Sequence, residues 1–147
     1  MKARSMVLAI VGVGTLAALV MGRPMRYEIP GNYRGWMEVQ FENSECPPLR
    51  SQGIFRVVSI QTDGRVCTSD HHPRGWTYYK FEYVYPDSTR KSLHWNDPGR
   101  SGTQVWLIGH RMEDQTDEIF VGDEEAMNHS GPPPSKTHPT ARPISRN

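Results

Sequence analysis

The chain has 147 residues and a formal charge of +1, enough for one ordinary domain and too short for two. The charge is segregated: all sixteen acids lie between Glu28 and Glu125, but only ten of the seventeen Lys and Arg lie between Tyr27 and Ser130, so residues 27–130 carry −6. A domain of that sign is a poor partner for nucleic acid, whose binding rests on neutralising phosphates, and that class of function is set aside.

In chain order, Lys2 and Arg4 precede an apolar run from Met6 to Met21. That run has the length of a long signal-peptide core and is short for a membrane span. Residues 1–22 are therefore expected to be an export signal, cleaved after Gly22, or an N-terminal anchor held in the membrane by residues 6–21. Either way the remainder is expected to be periplasmic or extracellular, touching a membrane only if the segment is retained. The absence of a cysteine just after the run excludes lipid modification there.

The β-rich domain is expected over residues 27–130. Pro30 and Gly31 break the incoming chain, and then Met37, Val39 and Phe41 alternate with Glu38, Gln40 and Glu42, the period of a strand with one wet face. Gly53–Ile60 is apolar on both faces except at Arg56 and Ser59 and suits a central position. Thr62-Asp63-Gly64 reads as a turn, with Arg65–Ser69 returning as its hairpin partner. Residues 76–85, WTYYKFEYVY, form the longest strand signal, rich in aromatics. Lys91–Trp95 reads as a short return strand, Val105–Ile108 as a strand buried on both faces, and Ile119–Val121 as another. Asp123–Met127 predicts one short helix with its acids in the first turn. Residues 131–147, with Pro132, Pro133, Pro134, Pro139 and Pro143 and no aromatics, read as a disordered Pro-rich tail. The pattern predicts an all-β fold: a small sandwich or barrel of six to seven strands with one short C-terminal helix.

Few residues carry chemistry. Cys46 and Cys67 are the only cysteines; an even pair in an exported chain reads as one disulfide, with two buried thiols as the alternative, and without C-x-x-C spacing a thiolate metal site is disfavoured. His71 and His72 are adjacent in the loop SDHHPRG, and His94 and His110 follow later. A polar loop is the plainer reading of the pair, and His71 and His72 are the candidate metal ligands, since zinc needs three or four donors. The run Glu113–Glu118 reads as a solvated loop, with calcium as its alternative. No nucleophile elbow, H-E-x-x-H, phosphate loop or dinucleotide fingerprint is present. Trp106 reads as core. Trp36 and Trp76 each follow Arg-Gly at the start of a strand; packing is the simpler account, and both are candidate ligand-binding residues.

Ile29-Pro30-Gly31-Asn32-Tyr33-Arg34-Gly35-Trp36-Met37-Glu38-Val39, then Pro47-Pro48-Leu49, Gly64 with Thr68-Ser69, Gly75-Trp76, and Phe120-Val121-Gly122-Asp123-Glu124-Glu125 are landmarks whose order and spacing resemble an exported bacterial family, the domain of unknown function numbered 6843. The resemblance covers residues 27–127. It implies bacterial origin and an extracytoplasmic β-rich domain, and brings no activity or catalytic residue with it. Many relatives look like lipoproteins, from which this chain departs in lacking the lipidation cysteine. The expected function is a non-enzymatic binding or envelope-interaction module without a cofactor, its partner an envelope protein or glycan. The competing expectation is a metal-binding protein or hydrolase using His71, His72, His94 or His110.

Overall fold

The computed structural model describes residues 22–133. The expected signal or anchor and almost all of the expected tail lie outside those residues. Among the described residues, nine strands form two sheets, followed by one short helix. The all-β expectation holds and, of sandwich or barrel, the sandwich: the described residues form no closed barrel, and they have nine strands where six to seven were expected, the sequence having shown neither Met25–Pro30 nor the three-residue Arg50–Gln52 as a strand.

The first sheet runs β3 (Arg50–Gln52), β4 (Phe55–Ser59), β1 (Met25–Pro30), β6 (Tyr79–Val84), β7 (Arg90–Leu93). β1 is central and parallel to both β4 and β6. Sequence reading missed β1, because Pro30 and Gly31 read as a loop, and it missed the three-residue edge strand β3. The pattern of β1 is nonetheless regular: Met25, Tyr27 and Ile29 are buried and alternate with Arg26 and Glu28, as a strand with one core face requires. Pro30, the last residue of β1, is tolerated there because its missing N–H falls where the ladder stops.

The second sheet runs β5 (Arg65–Cys67), β2 (Gly35–Gln40), β9 (Thr116–Gly122), β8 (Gln104–Arg111). β5 corrects the expected hairpin: it does not pair with β4 but lies parallel to β2 in the opposite sheet. Both edges of β4 are already taken, by β1 and by β3, so the turn ending at Gly64 carries the chain across. Gly64 adopts φ +79°, and a Cβ there would meet the Trp36 carbonyl at 2.5 Å, so the turn needs glycine. β8 corrects a second expectation. It is an edge strand, with Val105 and Trp106 buried but Ile108 exposed.

The inner faces meet in one core. Met25, Tyr27, Ile29, Val58, Phe81 and Tyr83 come from the first sheet, and Met37, Val39, Val105, Ile119 and Val121 from the second. Met37, Val39 and Phe41 point inward as their alternation predicts. On the outer face of the second sheet, Trp36, Phe120 and Trp106 lie side by side in register across β2, β9 and β8. Trp36 meets Phe120 edge-on at 5.3 Å, and the Trp106 indole donates to the Gly122 carbonyl at 3.1 Å. The helix α1 (Glu124–His129), capped by the Asp123 side chain, follows directly, and Ala126 packs over Gly122 beside Phe120. The outer face of the first sheet is ionic instead. Glu28 pairs with Arg26, Arg50 and Arg90, and Glu82 with Lys80 and Arg90.

Cys46 and Cys67 are joined in a disulfide with Cα atoms 5.7 Å apart. It ties the loop after β2 to the end of β5 across a separation of 21 residues, a closure worth about 3 kcal/mol in the chain-entropy account.

Candidate functional site

Two features stand apart from ordinary packing. The first is a cluster on the inner face of the second sheet. Asp117 on β9 is opposite Val39 of β2 and His110 of β8, and directly opposed residues of antiparallel strands share a face. Asp117 therefore points between the sheets, where it is almost fully buried. Its Oδ1 lies 2.7 Å from His110 Nδ1 and 3.0 Å from His72 Nε2. The two imidazole rings are 4.0 Å apart. His72 arrives from the loop after β5, and its ring sits edge-on against Phe41 at 5.1 Å, which fixes its orientation. One nitrogen from each histidine and one aspartate oxygen all lie within 4.8 Å of one another.

The position of His110 depends on a bulge. Val105 and Leu107 face the core, so strict alternation would turn residue 109 inward and His110 outward. The register shifts between Leu107 and Gly109, leaving Ile108 exposed and setting His110 opposite Asp117. One extra residue thus returns the histidine to the inner face.

The four sequence-picked histidines separate. His72 and His110 converge. His71 is exposed and outside the cluster, standing 3.4 Å from Glu42. His94 lies elsewhere, in an open groove with Tyr79, Leu93 and Trp95. Asp117 was missed because the run Glu113–Glu118 reads as a solvated loop. Only its first part is a turn: Thr116, Asp117 and Glu118 begin the central strand β9 and are buried. Their carboxylates are held by side chains, Asp117 by hydrogen-bond contacts to the two histidines and Glu118 by Arg111, which also holds Asp114 and keeps that carboxyl below its ordinary range.

The second feature is a rim. β1, β4 and β6 are parallel neighbours, so all three begin at the same end of the sheet. The segments leading into them are bound together there: Gly22 N–H donates to the Trp76 carbonyl, Met25 N–H to that of Tyr78, and Arg56 N–H to that of Pro24, each at 2.9 Å. Trp76 is 83% exposed, Ile54 69% and Tyr78 58%. These are half of the exposed large hydrophobic side chains among the described residues. Beside them Arg23, Arg56 and Arg74 line a cleft that His71 and His72 also border. Of the two sequence-picked tryptophans, only Trp76 has a free face; Trp36 is half-buried on Phe120 and its indole reaches the Ser130 carbonyl at 3.4 Å.

A family model described as a family of unknown function (DUF6843) matches residues 22–130. No curated protein matches the chain. A solved crystal structure, described as that of a "Putative Lipoprotein from Bacillus anthracis", is similar at 19% identity, with 85% of this chain and 82% of that chain covered and a TM-score of 0.49.

Proposed function

The chain belongs to the family of unknown function DUF6843, which assigns no activity, and from its own geometry we propose an exported, envelope-associated binding module that rests on a membrane surface through the Trp76–Tyr78–Ile54 rim. The observation that carries this reading is the place where the domain begins. Gly22, hydrogen-bonded to Trp76, directly follows the apolar segment 6–21. With that segment retained in a bilayer, the rim is the part of the domain nearest the lipid. Its composition suits the position: Trp and Tyr sit at the level of the headgroups, an aliphatic side chain enters the acyl boundary, and arginines face anionic lipid. The exposed aromatic side chains and the cleft arginines Arg23 and Arg74 supply both kinds of group.

The test uses the full chain in vesicles of phosphatidylglycerol and phosphatidylcholine whose acyl chains are brominated. Of the four tryptophans, only Trp76 is expected to be quenched, and Trp76→Phe should remove the quenched fraction. Equal quenching with and without Trp76, or N-terminal sequencing of the protein recovered from cells that shows segment 6–21 to be removed, would overturn the reading.

A further inference from the structure

We propose that His72, His110 and Asp117 form a binding site for a divalent transition-metal ion of the zinc class. Three donors of the right type converge from three separate parts of the chain: the loop after β5, the edge strand β8 and the central strand β9. Two imidazole nitrogens and one carboxylate oxygen suit zinc and its first-row neighbours, whereas calcium and magnesium prefer all-oxygen shells.

The distances are close to those a metal needs. Zinc bonds of about 2.0–2.2 Å in a tetrahedron put neighbouring donor atoms about 3.3 Å apart. Here the aspartate oxygen is 3.0 Å and 2.7 Å from the two nitrogens and all three donor atoms lie within 4.8 Å of one another, so the oxygen must draw back from the nitrogens by about half an ångström to admit the ion. Both nitrogens already aim at one oxygen, and the ion would take the place of the hydrogen bonds now made there. A buried carboxylate requires a positive partner, and a divalent ion supplies it.

The scaffold holds the donors in place. Phe41 fixes the His72 ring, the bulge at Ile108 sets His110 on the inner face, and Asp117 belongs to a strand paired on both sides. Rigid support of this kind is what separates a built site from a chance meeting of polar side chains. Three protein donors leave a tetrahedral position open. His72 also borders the cleft lined by Arg23, Arg74 and Arg56, the last paired with Asp70, and a water is the group suited to the fourth position.

The site is independent of the membrane reading and is tested in detergent solution, without vesicles. The full chain, purified without a polyhistidine tag and stripped with chelator, is titrated with zinc against a competing chromophoric chelator. One zinc per chain is expected, with affinity falling by roughly a hundredfold or more in His72→Gln and in His110→Gln and unchanged in His94→Gln. Glutamine can still hydrogen-bond to Asp117, which protects the fold while removing the imidazole. Absent stoichiometric binding, or binding unaffected by both variants, would overturn the proposal. Should a variant fail to fold, the wild type decides: zinc must shift the ring-proton resonances of two histidines, and cobalt must give a tetrahedral visible absorption that zinc displaces. The absence of both would also overturn it.

Discussion

Tyr27 is completely buried between the sheets, its ring 4.8 Å from that of Phe81, and its hydroxyl has no hydrogen-bond partner among the described residues. Burial pushes its pKa well above the ordinary tyrosine value, and the nearby charge of Asp117 pushes it further. Burial likewise raises Tyr33, Tyr79 and Tyr83. A folded-state pKa above the unfolded value means that the fold holds these groups neutral, so their contribution is complete below about pH 10 and is lost as pH rises beyond it. Alkaline titration should therefore show tyrosinate absorbance appearing together with loss of β circular dichroism above pH 10. Independent ionisation near pH 10 with the sheet signal intact would contradict this. Tyr27→Phe removes the unpartnered hydroxyl and should be neutral or stabilising by about 1 kcal/mol, with the alkaline limit moved upward.

At the level of elements, the two Arg-Gly-Trp motifs do different work. Trp36 anchors the aromatic row under α1, so Trp36→Ala should cost about 2–3 kcal/mol in a denaturant melt, at or below the bottom of the range of about 3–5 kcal/mol for buried large aromatics because Trp36 is only half-buried. Trp76→Ala should stay within about 0.5 kcal/mol of wild type, since an exposed side chain leaves no cavity. Equal losses at the two positions would place Trp76 in the core and contradict the exposed rim. This difference was not legible beforehand, because both tryptophans follow Gly at the start of an extended segment and only the tertiary position of α1 separates them. What period and composition do reveal is local: β2, β6, β9, the β6–β7 return and the capped helix all follow from alternation, turn residues and acids at Asp123–Glu125. What they miss is pairing at a distance. β5 lies in the opposite sheet because both edges of β4 are occupied. His110 meets Asp117 because a bulge reverses the count that alternation gives. Nearness in the chain did hold a usable signal: His110 and Asp117 flank a tight turn at residues 112–115, and strands joined by such a turn bring residues at that spacing face to face.

At the scale of the molecule, the parallel trio β4-β1-β6 decides what the domain shows to its surroundings. Parallel strands must each start at the same end, so three chain segments meet there, and one of them comes from the apolar stretch 6–21. Large aromatic side chains bury 150–250 Å² each when covered, and apolar area contributes roughly 25 cal/mol per Å². If roughly a third of the area of Trp76, Tyr78 and Ile54 enters the lipid, the gain is only about 3–5 kcal/mol, close to a millimolar affinity and too weak to hold a free domain in dilute solution. A membrane tether changes that, because a short connection keeps the rim at an effective concentration in the millimolar range, which falls roughly as the −3/2 power of linker length. Inserting Gly-Ser linkers of increasing length just before Gly22 should leave the thermal stability of the domain unchanged, since its core begins at Met25. The bromolipid quenching of Trp76 should meanwhile decline step by step. Quenching absent even without a linker would rule out a lipid-facing rim. Quenching that stays at full strength with the longest linker would mean that the rim binds lipid without help from the tether, contrary to the weak affinity derived from its area.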